Sequence, residues 1–273
     1  PTSLFVGSRL SKTSENTFYK HTKIAYRLLN PCYPFEKNLK KSKKVICCEY
    51  NRAHITKSIY DLDKVPYILP NKPYNGNVQI AQSLPFSIQE IISKYRNKKI
   101  ILYQGVFIPE RRVDYFVRAV NSLPDDYILF LMGGENPFYN ELRDKCQSER
   151  IVFLPFLPPP LHLEITKLAH IGILVYVVDG EPINRAINVL YCAPNKLYEY
   201  SMFGIPMISN NLPALNFIFS KFEAGICTDI LLEKNVCEAI LEIDRNYESY
   251  SKASVQLYNS VDMLDIVKGI LRE

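Results

Sequence analysis

The sequence predicts an α/β protein built on a parallel sheet flanked by helices, and three observations carry that expectation. From Lys98 onward, short apolar runs and helical stretches alternate regularly. The runs are continuous in Ile, Leu and Val, as strands covered on both faces require, not alternating as in a half-exposed sheet. Strand and helix in turn imply right-handed βαβ units, hence an open parallel sheet.

The strand-like runs are 100–103, 127–132, 151–154, 171–175 and 206–209, and the helical stretches between them are 111–122, 138–147, 161–168 and 195–203. Before them, residues 1–43 are polar and Lys-rich, with helical spacing at 16–29 and 35–41. The run 44–48 reads as a strand, 49–60 as a helix through Ala53, Ile55 and Ile59, and 65–69 as a second short strand. Pro70, Pro73, Asn75, Gly76 and Asn77 form a turn-rich segment that reads as a domain boundary. The stretch from Glu233 to the end is helical, with Ile240, Ile243, Leu264, Val267 and Ile270 at apolar positions. The expected division is 1–75 as one lobe, 76–245 as the regular α/β domain, and 246–273 as terminal helices returning to the first lobe.

Composition narrows the function classes. Of 273 residues, 47% are hydrophobic and 22% charged, as in an ordinary globular chain. A net charge of +5 is too small to argue for nucleic acid, but suits a phosphate-bearing ligand or an anionic membrane surface. Seven cysteines without a CxxC or a zinc-type His spacing argue against a disulfide scaffold and a metal site. No apolar run reaches the roughly 18 residues of a membrane span. The chain begins Pro-Thr-Ser, which points to a processed N-terminus or a fragment.

Doubly wound sheets bind ligands at the carboxyl ends of their strands, so the residues just after each run are the informative ones. Gly105, followed by Pro109-Glu110-Arg111-Arg112, permits a close turn and offers a guanidinium fork for phosphate oxygens. An exposed basic helix start would use the same residues. Gly133 and Gly134 after the second run allow close backbone approach, or form a plain tight turn. Ala193-Pro194-Asn195-Lys196-Leu197-Tyr198-Glu199-Tyr200 runs to Gly204 and Pro206, with Asn195 as the expected N-cap. A helix start there offers N–H groups and positive potential to a diphosphate, Lys196 adds a cation, and Glu199 lies one turn in. A carboxylate so placed can accept both vicinal hydroxyls of a ribose. A capped helix with a solvated Lys–Glu pair is the alternative.

These residues resemble a known family. Ala193–Gly204 followed by Ile205-Pro206-Met207-Ile208 resembles the "PNKxxEYxxxGxPxI" signature of bacterial family-4-like retaining glycosyltransferases. Gly105 with Pro109-Glu110-Arg111 resembles that family's phosphate loop, with Arg111 at its diphosphate-binding cation. Residues 168–175 resemble its "ADIGL" strand, with His170 at the usual Asp. Residues 49–53 and Ile68-Leu69-Pro70-Asn71 resemble the end of its first domain and the strand entering its second. The match is collinear from about residue 44 to residue 228. Two positions depart from the family: Tyr191 stands where the first Glu of an E-x7-E pair is expected, and Val106 at a second basic loop position.

The resemblance implies the GT-B fold, two Rossmann-like domains facing across a cleft, with the first lobe incomplete in this chain. It implies transfer of a sugar from a nucleotide-activated donor to an acceptor hydroxyl, with retention of configuration, in bacterial surface polysaccharide assembly. The donor-binding set would be Gly105, Arg111, Arg112, Gly133, Asn195, Lys196 and Glu199, with Glu199 on the ribose and no catalytic residue assigned. No metal or cofactor is expected beyond the nucleotide-sugar substrate. The partners implied are that donor and a glycan or lipid-linked acceptor, with no nucleic acid. The location implied is the cytoplasm, including peripheral contact with the inner face of the cell membrane. A GT-B nucleotide-sugar epimerase and a non-catalytic nucleotide-binding fragment are the alternatives.

Overall fold

The computed structural model describes residues 33–73, 83–146, 148–178, 183–229 and 231–272. The helical reading of 16–29 and the turn at 75–77 lie outside them. The chain forms two compact units.

The first unit gathers the described residues up to Asn71, those of Val178–Ala193, and those from Asp262 on. It contains α1 (Tyr33–Lys41), β1 (Ile46–Cys47), α2 (Tyr50–Tyr60) and β2 (Tyr67–Ile68). The two strands pair in parallel, with Ile46 opposite Tyr67 and Cys47 opposite Ile68. Helix α2 starts where the Glu49 carboxylate accepts the Arg52 N–H at 2.8 Å. The Arg52 side chain donates to Asn188, in α7 (Ile183–Leu190), at 2.7 Å. Buried Tyr60 and Leu62 pack with Leu39, Val45 and Ile187.

The second unit comprises Lys72–Val177 and Pro194–Val261. After α3 (Phe86–Ser93) come β3 (Lys99–Gln104), α4 (Val113–Ser122), β4 (Tyr127–Met132), α5 (Pro137–Lys145), β5 (Ile151–Leu154) and the single turn α6 (Leu163–Thr166). Strand β6 (Ile171–Leu174) precedes the excursion into the first unit. On return come α8 (Asn195–Met202), β7 (Met207–Asn210), α9 (Pro213–Phe222), β8 (Gly225–Thr228), α10 (Glu233–Arg245) and α11 (Tyr247–Asn259). The last helix, α12 (Met263–Arg272), belongs to the first unit.

The six strands pair in parallel in the order β5-β4-β3-β6-β7-β8. Side chains alternate across each strand. Ile101 and Tyr103 face one side, where Val113, Phe116 and Val120 of α4 meet Val236, Ile240 and Ile243 of α10. Ile100, Leu102 and Gln104 face the other, where α8 lies with its Tyr200 hydroxyl donating to the Leu102 carbonyl at 3.0 Å. This is the parallel, helix-flanked sheet the sequence predicts.

Several elements differ from the reading of the sequence. The helix expected from residue 111 is interrupted: Pro109–Arg111 forms a 3-10 turn, Arg112 takes a left-handed φ of 46°, and the α-helix begins at Val113. Residues 161–168 hold only the one-turn α6. Helices α3, α7 and α9 and strand β8 were not legible. α9 is apolar around most of its circumference, and β8 begins with Gly and ends with Thr, so neither shows a clear period. The helical tail is three helices, broken at Asn246 and between Ser260 and Asp262.

Candidate nucleotide site

The central strands β3 and β6 are neighbours, and the chain runs outward from them in both directions. A crevice opens at such a reversal, because the helices that follow the two strands cover opposite faces. A cleft of about 370 Å³ lies there, lined from the carboxyl ends of the strands and the start of α8.

Gly105 follows β3 with φ +142°, a conformation side chains rarely adopt, and a Cβ there would stand 2.5 Å from Lys196 Nζ. Gly133 follows β4, and a Cβ there would stand 2.1 Å from the Gly105 carbonyl oxygen. Both glycines therefore permit close approach, one of the Lys196 amine and one of a neighbouring backbone.

Two cations meet over this floor. The Arg111 guanidinium stacks on the Tyr176 ring, 4.2 Å from its centroid, and Lys196 Nζ lies 4.8 Å from the Tyr103 ring centroid. Tyr176 follows β6 and is held from β7: its N–H donates to Asn210 Oδ1 at 3.0 Å, and Asn210 Nδ2 donates to its carbonyl at 2.9 Å. The Val177 N–H donates to the Glu110 carbonyl at 2.9 Å, tying this loop to the 3-10 turn that carries Arg111. Burial pulls the Lys196 ammonium down to about 7, Arg111 pushes the same way, and Glu199 opposes them.

The expected N-cap role of Asn195 is corrected. Pro194 holds the cap position in extended conformation, no side chain caps the helix, and Asn195 is its exposed first residue. The Pro194 carbonyl accepts from the Leu197 N–H at 3.2 Å, which starts the first turn one residue early. Asn195, Lys196 and Glu199 all line the cleft, as do Gly105, Arg111 and Gly133. Arg112 does not. Its guanidinium donates to the Tyr115 hydroxyl and faces Asp114, because the left-handed backbone turns the side chain along α4.

The Glu199 carboxylate is the only acidic group lining the cleft among the described residues. Gln104 Nε2 donates to its Oε2 at 2.6 Å, and His162 Nε2 stands 3.4 Å from its Oε1. The Thr166 hydroxyl lies 2.7 Å from Gln104 Oε1. His162 Nδ1 is buried without a partner among the described residues. Gln104, His162 and Tyr176 were not anticipated. Gln104 had one signal, a polar residue closing an apolar strand, while His162 sits in a proline-rich loop with none.

No family model matches the sequence, and no curated protein matches it significantly. Solved structures do match the fold. HepE from Anabaena, in complex with UDP-glucose, aligns with TM-score 0.63 and 12% identity over 93% of this chain and 68% of its own. WaaG, a glycosyltransferase involved in lipopolysaccharide biosynthesis, aligns with TM-score 0.56 and 14% identity over 94% and 70%. The GtfA/B complex aligns with TM-score 0.56 and 14% identity over 94% and 49%. The fold is thus the α/β fold of GT-B glycosyltransferases, a parallel six-stranded sheet flanked by helices.

Proposed function

We propose that the chain binds a nucleoside-diphosphate sugar in this cleft and takes part in transferring the sugar to an acceptor hydroxyl. One observation carries the reading: Arg111, Lys196 and the start of α8 line one cleft, and Glu199 lines it too, one helical turn beyond Asn195. A diphosphate needs cations and free N–H groups, a ribose needs an acceptor for its vicinal hydroxyls, and the spacing suits a ligand carrying both. During transfer, the same cations and helix start would stabilise charge on the departing diphosphate, which is the main electrostatic task of the reaction.

That structures of this fold have been solved with UDP-glucose and UDP supports a uridine diphosphate donor. Retention of configuration, an acceptor that is a glycan or a lipid-linked sugar, surface polysaccharide assembly and a cytoplasmic setting follow from the motif resemblance and belong to the same proposal. Among the described residues no helix is long and apolar enough to cross a membrane. An epimerase must move a proton at a sugar carbon. Among the described residues Glu199 is the one carboxylate lining the cleft, and its engagement by Gln104 and His162 favours transfer over that chemistry.

A thermal-shift screen across UDP-, GDP-, dTDP- and CMP-sugars tests the reading, followed by calorimetry on Glu199→Gln. The variant should lose about 1–3 kcal/mol of nucleotide affinity, the range for a hydrogen bond to a charged group. No shift with any nucleotide sugar, or full affinity in the variant, would overturn the assignment.

A further inference from the structure

We propose that Gln104 and Thr166 are positioning residues that hold the Glu199 carboxylate in the orientation a ribose requires, so that preference for a ribonucleotide over its 2′-deoxy form depends on this relay. The inference rests on the reading that Glu199 faces the ribose.

The directions of the hydrogen bonds are set by chemistry. An ionised carboxylate only accepts. With 2.6 Å between Gln104 and Glu199 Oε2, the amide must present its NH2 group, since its oxygen there would place two acceptors in contact. Gln104 Oε1 then faces Thr166 Oγ1 at 2.7 Å and needs a donor. The threonine hydroxyl has one proton. It is committed to Gln104, and not to the His162 carbonyl 3.1 Å away. Thr166 is 0% exposed, so no water competes for that proton.

The relay therefore runs one way, from Thr166 through Gln104 to Glu199. His162 stands at the other carboxylate oxygen. Each oxygen keeps further acceptor capacity, enough for two hydroxyls on adjacent carbons. The relay restrains the carboxylate plane before a ligand arrives, which removes an ordering cost from binding. The three residues are brought together by the fold alone: Gln104 closes β3, Thr166 ends α6 and Glu199 lies in the middle of α8.

The test is calorimetry on the full chain with UDP, 2′-deoxy-UDP and inorganic pyrophosphate. The proteins are the wild type, Gln104→Met, Thr166→Val, Thr166→Ser and Glu199→Gln, each first melted without ligand. The wild type should prefer UDP over its deoxy form by about tenfold or more. Gln104→Met and Thr166→Val should each cut that preference at least about threefold, and Thr166→Ser, which keeps the hydroxyl, should retain it. Pyrophosphate affinity should be the same in the wild type and the three Gln104 and Thr166 variants, which a general loosening of the site would not leave intact. If Gln104→Met does not fold, the Thr166→Val and Thr166→Ser pair carries the comparison. An undiminished preference in the relay variants, while Glu199→Gln abolishes it, overturns the relay alone. A wild type without the preference, or a Glu199→Gln that keeps it, overturns the ribose assignment and the relay with it.

Discussion

The Lys196 ammonium is costly to keep charged in the cleft. Burial lowers its pKa to about 7 from an ordinary 10.5, with Arg111 adding to the effect. Between those values the unfolded chain holds more protons than the folded one, so the cost of this ammonium is full below about pH 7 and disappears as pH rises toward 10.5. A bound diphosphate reverses the balance by supplying negative charge. Nucleotide binding should therefore take up protons at pH 8, and fewer as pH falls toward 6. Titration calorimetry of UDP in two buffers of different ionisation enthalpy measures this directly. Lys196→Met should show no such difference, and equal heats in both buffers at pH 8 for the wild type would contradict the account.

Among elements, the loop after β6 decides where Arg111 points. Asn210, the last residue of β7, brackets Tyr176 with two backbone hydrogen bonds, and the Tyr176 ring carries the guanidinium. Asn210→Ala removes both bonds and should lower stability by about 1–3 kcal/mol in denaturant unfolding. It should also weaken UDP binding by about 0.5–1 kcal/mol, the value of the cation–π support. Lower stability with unaltered UDP affinity would show that Arg111 is aimed by something else. None of this was legible in the sequence: Asn210 sits 34 residues from Tyr176, and only strand pairing makes them neighbours. Helix α8 was legible because its start is marked by Pro194, its end by Gly204 and Pro206, and its motif is compact.

At the scale of the whole molecule, the sheet has a second cluster at the opposite, amino ends of its strands. Lys99 begins β3, Asp126 and His170 directly precede β4 and β6, and Asp244 comes from α10. Asp244 accepts from Lys99 and faces His170 Nε2, each at 2.8 Å, and the imidazole stacks on Tyr247 at 4.1 Å. Burial opposes ionisation of Asp244, yet hydrogen bonds from Lys99, His170 and Tyr127 outweigh it and hold the carboxyl below its ordinary value. Burial lowers the His170 pKa, partly offset by Asp244. Because the Asp244 pKa is depressed, its contribution is present above about pH 4 and lost as pH falls through the folded value. For His170, stability declines as pH drops below about 6.5. Asp244→Ala should cost about 1–3 kcal/mol at pH 7, and the gap from the wild type should narrow by pH 3. A gap independent of pH would mean that Asp244 acts through packing and not through charge. The position of His170, where the resembled family has Asp, thus has a structural setting away from the cleft.

The sequence by itself determined the class of fold and the glycines and cations that line the cleft. Both are written locally: continuous Ile, Leu and Val runs specify buried parallel strands, and glycine, proline and cation spacing after those runs specifies strand ends and a helix start. The tertiary structure decided the rest. It set the strand order that puts β3 beside β6, turned Arg112 away along α4, moved the helix cap from Asn195 to Pro194, and assembled Thr166, Gln104, His162 and Glu199 around one carboxylate. The contacts around Glu199 join residues tens of positions apart, and such polar contacts leave no period in a sequence. The hydrophobic pattern announces itself because burial is repeated along the chain, whereas a polar network is made once, where the packed elements happen to bring its members together.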